Sequence, residues 1–160
     1  MTKTKTKLKL IAVVTLVIFW AGSVTYYYNQ VLAAKPKAYT YSGISDLYLL
    51  ARIIRAEAEG EPYAGKVAIA AVILNRVRHP GFPNTIAGVI FQPGAFESVA
   101  NGRFWSLLPN RESIKAAYDA LRGWDPTYGA LFFWNPAKKV SRWIWTRKII
   151  ARIGKHVFGR

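Results

Sequence analysis

The sequence predicts an α+β fold that is mainly α-helical, with a small antiparallel sheet at its C-terminal end and one apolar helix ahead of the domain. Three observations carry this. Segments between residues 45 and 122 repeat their apolar positions at helical spacing and carry recognisable caps, whereas past Gly123 the pattern changes to short runs rich in aromatic and β-branched residues. Residues 10–28 contain no charge at all. In 160 residues, of which 52% are apolar, this leaves room for one core plus an appendage.

Residues 1–9, MTKTKTKLK, form a basic N-terminus expected in the cytosol. The run that follows, LIAVVTLVIFWAGSVTYYY, is about long enough at ~1.5 Å per residue to cross a bilayer's hydrocarbon core. Lysines before it and Tyr26, Tyr27 and Tyr28 after it match the positive-inside rule and an interfacial aromatic belt. The expectation is a single-pass membrane protein, N-terminus inside, with residues 35–160 on the extracytoplasmic side. A cleaved signal peptide, with small residues at Val31, Ala33 and Ala34, is the alternative, and it would leave the domain secreted. The length of the apolar run and the downstream position of that cleavage-like site favour the anchor. Residues 29–43 read as a linker, since KPKAYTYSG has Pro, Gly and hydroxyl residues and no helical period.

A formal net charge of +15, from 23 Lys and Arg against eight acidic residues, points to an anionic partner. Nucleic acid, anionic lipid and anionic wall polymer all qualify, and export of the domain argues against nucleic acid. The absence of cysteine excludes a disulfide framework, a thiolate zinc site and a Cys nucleophile, and His79 and His156 alone do not make a histidine metal centre. No metal and no cofactor are expected.

The first domain helix is expected from Ser45, as N-cap, to Ala58, with a stop at Gly60 and Pro62. Projected at 100° per residue, Leu47, Leu50, Ala51, Ile54 and Ala58 share one face and Arg52, Arg55 and Glu59 the opposite one. Three of the eight acidic residues fall in the stretch AEAEGEP. The projection separates them. Glu59 lies four residues after Arg55, where an exposed i,i+4 pair accounts for it. Glu61 follows the Gly60 stop and reads as the N-cap region of the next helix. Glu57 falls at the edge of the apolar stripe, and a carboxylate partly withdrawn from water there is disposed to hold the proton that a general acid needs. Helix-end glutamates are also common as structural ion-pair partners, so periodicity leaves both readings open.

The second helix, about residues 63–78, is apolar nearly all round and reads as the central buried helix. Its terminal Arg76 and Arg78 either bind wall carboxylates or solvate a helix end. HPGFP stops it, and a short helix follows at about residues 86–90, capped by Asn84 or Thr85. Residues 91–105, FQPGAFESVANGRFW, are expected to be irregular, a loop of the kind that lines sites. Asn110 caps a helix over about residues 111–122 that Gly123 ends. Residues 130–136, 141–146 and 155–159 read as short strands, the first two as a hairpin around NPAKKV.

Taken in order, AEAEGEP, AVILNRV, FPNTI and PGAF, followed by WNP, WIWT and IGKHVF, resemble the bacterial cell wall hydrolase family that includes the spore-cortex-lytic enzymes of SleB and CwlJ type. The resemblance covers residues 44–158, nearly all of the expected catalytic domain, residues 44–160. It implies a lysozyme-like fold related to lytic transglycosylases, peptidoglycan as the substrate partner, and the helix-end glutamate of the AEA motif, here Glu57, as the catalytic acid. A lytic transglycosylase needs one carboxyl group where a hydrolytic glycosidase uses two. Relatives often carry a hydroxyl residue just after the AF element, but here Glu97 follows Phe96 and Ser98 comes next. Either Ser98 supplies the polar contact, or Glu97 acts as a second carboxylate, or Glu97 is a solvated loop residue. Phe96 is expected at the substrate, and Tyr128, Trp134, Trp143 and Trp145 either stack on sugar faces or belong to the core. His156 reads as a packed histidine. A non-catalytic wall-binding module and a stem-peptide amidase are the competing functions.

Overall fold

The chain divides into two units, residues 1–40 and residues 41–160. The structure is a computed structural model that describes Trp20, residues 22–26 and residues 44–160. In the first unit the described residues are helical and exposed, and the Ser23 hydroxyl donates to the Trp20 carbonyl at 2.9 Å. The rest of the expected membrane segment, together with residues 1–9 and the linker 29–43, lies outside the described residues. Among the described residues no helix is long and apolar enough to cross a membrane.

In the second unit α1 runs Ile44–Glu57 and buries Leu50, Ala51, Ile53 and Ile54 completely, while Arg52 and Arg55 are only half-buried. Removing each such Leu or Ile from water is worth roughly 1.5–3 kcal/mol, which ties α1 to its neighbours. Ser45 lies inside the first turn and is not the N-cap, because the helix begins at Ile44, two residues earlier than a cap at Ser45 would place its first residue. Gly60 ends the turn at the other end in the left-handed region, φ +79°.

Helix α2, Tyr63–Arg78, is the central helix, with every residue from Val67 to Leu74 buried. Pro62 precedes it and no side chain caps it, so Glu61 is not a cap. Helix α3, Ile86–Ile90, is capped by the Thr85 hydroxyl, which accepts from the Gly88 N–H at 3.0 Å. Residues 91–105 are more regular than their composition predicts, because they contain two single-turn helices, α4 at Glu97–Ala100 and α5 at Arg103–Ser106. Buried Phe96 and Phe104 pin these turns to the core, and Gly102 joins them at φ +85°. Helix α6, Arg111–Leu121, begins with a reciprocal cap between Asn110 and Ser113 and packs on both α1 and α2.

The sheet has three antiparallel strands, β1 Phe132–Trp134, β2 Ile149–Ile153 and β3 His156–Gly159, in the order β1-β3-β2. Phe133 pairs with Phe158 and Arg152 with Val157. The hairpin is therefore β2–β3, not the one expected around NPAKKV. Residues 142–146 form a 3-10 helix rather than a strand. There Ile144 points into a cluster with Trp134 and Val157, whereas Trp143 and Trp145 are half-exposed, so the one turn imitates the alternation of a strand. Central β3 is buried along its whole length.

Candidate active site

Glu57 is the last residue of α1, and it opens into a cleft of about 450 Å³ whose other walls are α2, the α4–α5 segment, β1 with the turn after it, and the start of β3. Four of the other residues expected from the sequence line the same cleft, namely Phe96, Glu97, Ser98 and Trp134. The main-chain N–H of Ser98 donates to Glu57 Oε1 at 3.3 Å, and the Ser98 hydroxyl is buried without a partner. The contact from Ser98 to Glu57 thus comes from the backbone. Glu97 opens α4 and is exposed.

Phe96 and Trp134 are walls, not open platforms. Each is 4% exposed, Phe96 tilted against Phe133 and Trp134 edge-on to Trp145. A face packed into a hydrophobic cluster is not free to stack on a sugar. Trp134 does keep a polar handle, since its Nε1 has no hydrogen-bond partner. Tyr128 is not brought to the cleft. It is 79% exposed, at φ +56°, on a loop held by Asp125, which accepts from the Thr127 and Gly129 N–H groups, the Thr127 hydroxyl and the Asn75 amide. Those hydrogen bonds outweigh the burial that opposes them and keep the Asp125 carboxyl below its usual range.

The two glutamates beside Glu57 are spoken for. Glu59 pairs with Arg55, as the i,i+4 spacing predicts, and also with Arg103. Arg103 in turn donates from Nε to the Ala56 carbonyl at 3.0 Å. This satisfies an open carbonyl of the helix end and fixes the backbone that carries Glu57. Glu61, 6% exposed, accepts from the Lys155 N–H at 2.9 Å and has His156 Nδ1 at 3.7 Å. It connects the α1–α2 turn to the β2–β3 hairpin.

His156 lines the cleft and packs edge-on against Phe133 at 5.4 Å. Burial pushes its pKa down, Glu61 and then Glu57 oppose that shift, and Lys138 reinforces it. The ring is neutral near pH 7. The sequence reading placed His156 in the core and gave it no place at the cleft, and it did not single out Asn101, Arg103, Asn135, Lys138 or Lys139, which also line it. These residues come from segments distant in sequence. The bond from Lys155 to Glu61 spans 94 positions, a separation that no local pattern reports.

Comparison with known proteins places this geometry among bacterial wall enzymes. The family model described as Cell Wall Hydrolase matches residues 60–159. The chain is 54% identical over 114 residues to the spore cortex-lytic enzyme of Bacillus cereus, covering 71% of this chain and 44% of that protein. To the cell wall hydrolase CwlJ of Bacillus subtilis it is 31% identical over 121 residues, covering 71% of this chain and 84% of that one. It thus spans less than half the length of the spore cortex-lytic relative. The crystal structure of the catalytic domain of Bacillus cereus SleB superposes with a TM-score of 0.71 at 50% identity, over 76% of this chain and 94% of that domain. The catalytic domain of the germination-specific lytic transglycosylase SleB from Bacillus anthracis gives 0.70 at 51%, over 76% and 98%.

Proposed function

The chain belongs to the cell wall hydrolase family, and from that premise we propose that it is a peptidoglycan-degrading glycosidase of the lytic transglycosylase type, with Glu57 as its single catalytic acid and base. The observation that carries this reading is the placement of Glu57, at the C-terminal end of α1, in a cleft that also gathers Ser98, His156 and the residues after β1. The family match begins three residues after Glu57, so its role rests on this geometry and on the AEA motif.

In the proposed reaction protonated Glu57 gives its proton to the glycosidic oxygen between N-acetylmuramic acid and N-acetylglucosamine. The C1–O bond breaks, and positive charge develops at C1 and the ring oxygen. The carboxylate then takes the proton of the muramic C6 hydroxyl as that oxygen bonds to C1, closing a 1,6-anhydro ring and returning Glu57 to its starting state. Polar groups of the cleft and the substrate's own N-acetyl group stabilise the intermediate charge. A second carboxylate is not required, and Glu97 serves at most to orient substrate.

Mass analysis of the ends released from purified peptidoglycan tests this. Anhydromuramic ends are the expected result. New free reducing ends would indicate hydrolysis, new amines would indicate an amidase, and an undigested wall that still binds the protein would indicate a binding module.

A further inference from the structure

We propose that His156 is a substrate-binding residue of the cleft, which presents Nε2 as a hydrogen-bond acceptor to an N–H or O–H donor of the sugar unit bound beside Glu57. The inference rests on the glycosidase reading above and adds a contact made by a residue that the proton transfer does not use. His156 opens β3 and lines the cleft, with 10% of its side chain exposed. Its ring stands edge-on to Phe133 at 5.4 Å and to Phe158 at 6.3 Å, and these contacts fix the direction of both nitrogens.

The two nitrogens differ. Nδ1 is sealed from solvent, has no hydrogen-bond partner and lies 3.7 Å from Glu61 Oε2. A lone pair turned toward a carboxylate is repelled by it, whereas an N–H is attracted, so the neutral ring carries its proton on Nδ1. At this distance the preference is electrostatic, too long for a hydrogen bond. Nε2 is left with the lone pair. Among the described residues it has no hydrogen-bond partner, and with Nδ1 sealed, the exposed part of the side chain lies on its other atoms, at the cleft that the residue lines.

A histidine that only packs satisfies its nitrogens within the protein, and this one satisfies neither. Burial, the largest influence, holds the ring below its ordinary value, Glu61 and then Glu57 oppose that, and Lys138 adds to it, so Nε2 is a neutral acceptor near pH 7. Other acceptors of the wall are engaged. Glu59 is taken by Arg55 and Arg103, and Oδ1 of Asn101 and of Asn135 each accept from a main-chain N–H. Glu97 is exposed, where water competes for it, while a hydrogen bond to the desolvated Nε2 is the stronger one. A neutral acceptor suits a neutral donor, and the sugars of the proposed substrate carry amide N–H and hydroxyl groups.

The test follows the imidazole nitrogens of the isotope-labelled full chain by NMR, with Glu57→Gln to prevent turnover, as a peptide-free N-acetylmuramic acid–N-acetylglucosamine oligomer is added. The expected result is the Nδ1–H tautomer in the free protein and a shift of Nε2 on binding. A matching shift of the oligomer's amide N–H identifies that group as the donor, and a shift of Nε2 without it identifies a hydroxyl. In calorimetry, His156→Phe, which keeps a packed ring without an acceptor, is expected to weaken binding about three- to tenfold, and His156→Gln, which returns an acceptor, to recover most of the loss. Acidification from pH 7.5 to 5 protonates Nε2 and turns it into a donor, so it is expected to weaken binding more with His156 in place than with His156→Gln. Should His156→Phe fail to fold, the nitrogen shifts and the pH comparison decide. An Nε2–H tautomer in the free protein, an Nε2 resonance unmoved by the oligomer, or an equal pH dependence in His156→Gln overturns the inference. Anhydromuramic ends released by the wild type would then leave the glycosidase reading standing, and their absence would remove both.

Discussion

Three glutamates within five positions of the α1–α2 turn take three different environments, and substitution separates them. Glu59 is exposed and paired only at the surface, so Glu59→Gln is expected to cost about 1 kcal/mol or less and to keep lytic activity, measured as urea stability beside wall digestion. Glu61 is buried, and Glu61→Ala strands the Lys155 N–H in the interior, which is expected to cost about 1–3 kcal/mol in the same titration. His156, next to Glu61, sets a pH dependence. Its folded pKa lies below the ordinary 6.5, so in the window between the two values the unfolded chain holds a proton that the folded chain refuses. Stability therefore falls as pH drops through 6.5 and levels off below the folded value. The urea midpoint is expected to fall further between pH 7.5 and 5.5 in the wild type than in His156→Gln, and an equal fall would assign the effect to other groups.

At the level of elements, the Glu61 carboxylate ties the β2–β3 hairpin to the helices, and Gly154 makes that contact possible. It sits at φ +58°, and a Cβ there would run into the Glu61 carboxylate and the Pro62 ring. Gly154→Ala is expected to destabilise by more than about 1 kcal/mol, through backbone conformation and the displaced Glu61 together, with thermal unfolding as the readout. A neutral result would mean that the hairpin is free to move away from Glu61. Helices α1, α2, α3 and α6 were legible in the sequence because they state their own limits, as α2 does with Pro62 before it and HPGFP after it, and α6 with Asn110, whereas the single turns α4 and α5 lie in a stretch whose Gly, Pro and Asn content hides them. The strands were less so. Residues 141–146 alternate like a strand but close as one 3-10 turn, while the Ile149–Ile153 strand carries Ala151 and Arg152 and an irregular register at its start, which hides any period of two. For the same reason the sequence led to Glu57, whose helix is self-evident, and not to His156 or Arg103, which reach the cleft only through contacts between segments far apart in sequence. The ring of Tyr128 suggests a sugar platform, but the Asp125 loop leaves it exposed to solvent and outside the lining of the cleft.

For the whole molecule, the helical layer supplies the wall that bears Glu57, and the small sheet closes the other side of the cleft. A basic chain with this domain suits a strongly anionic polymer, and the apolar residues 10–28 lead to the proposal that the domain is displayed outside the cytosol on a membrane anchor. A C-terminal reporter that works only outside the cytosol is expected to be active, and activity of one that works only inside would refute that arrangement. The central claim concerns one proton on one residue. Glu57→Gln keeps the size of the side chain and an oxygen able to accept from the Ser98 N–H, but removes the transferable proton. The decisive measurement is mass analysis of soluble products from peptidoglycan digested by the wild type and by Glu57→Gln, with folding and wall binding checked on both. The account predicts anhydromuropeptides from the wild type and at least about 100-fold less from a folded variant that still binds the wall. Near-wild-type release of anhydromuropeptides by folded Glu57→Gln would contradict it.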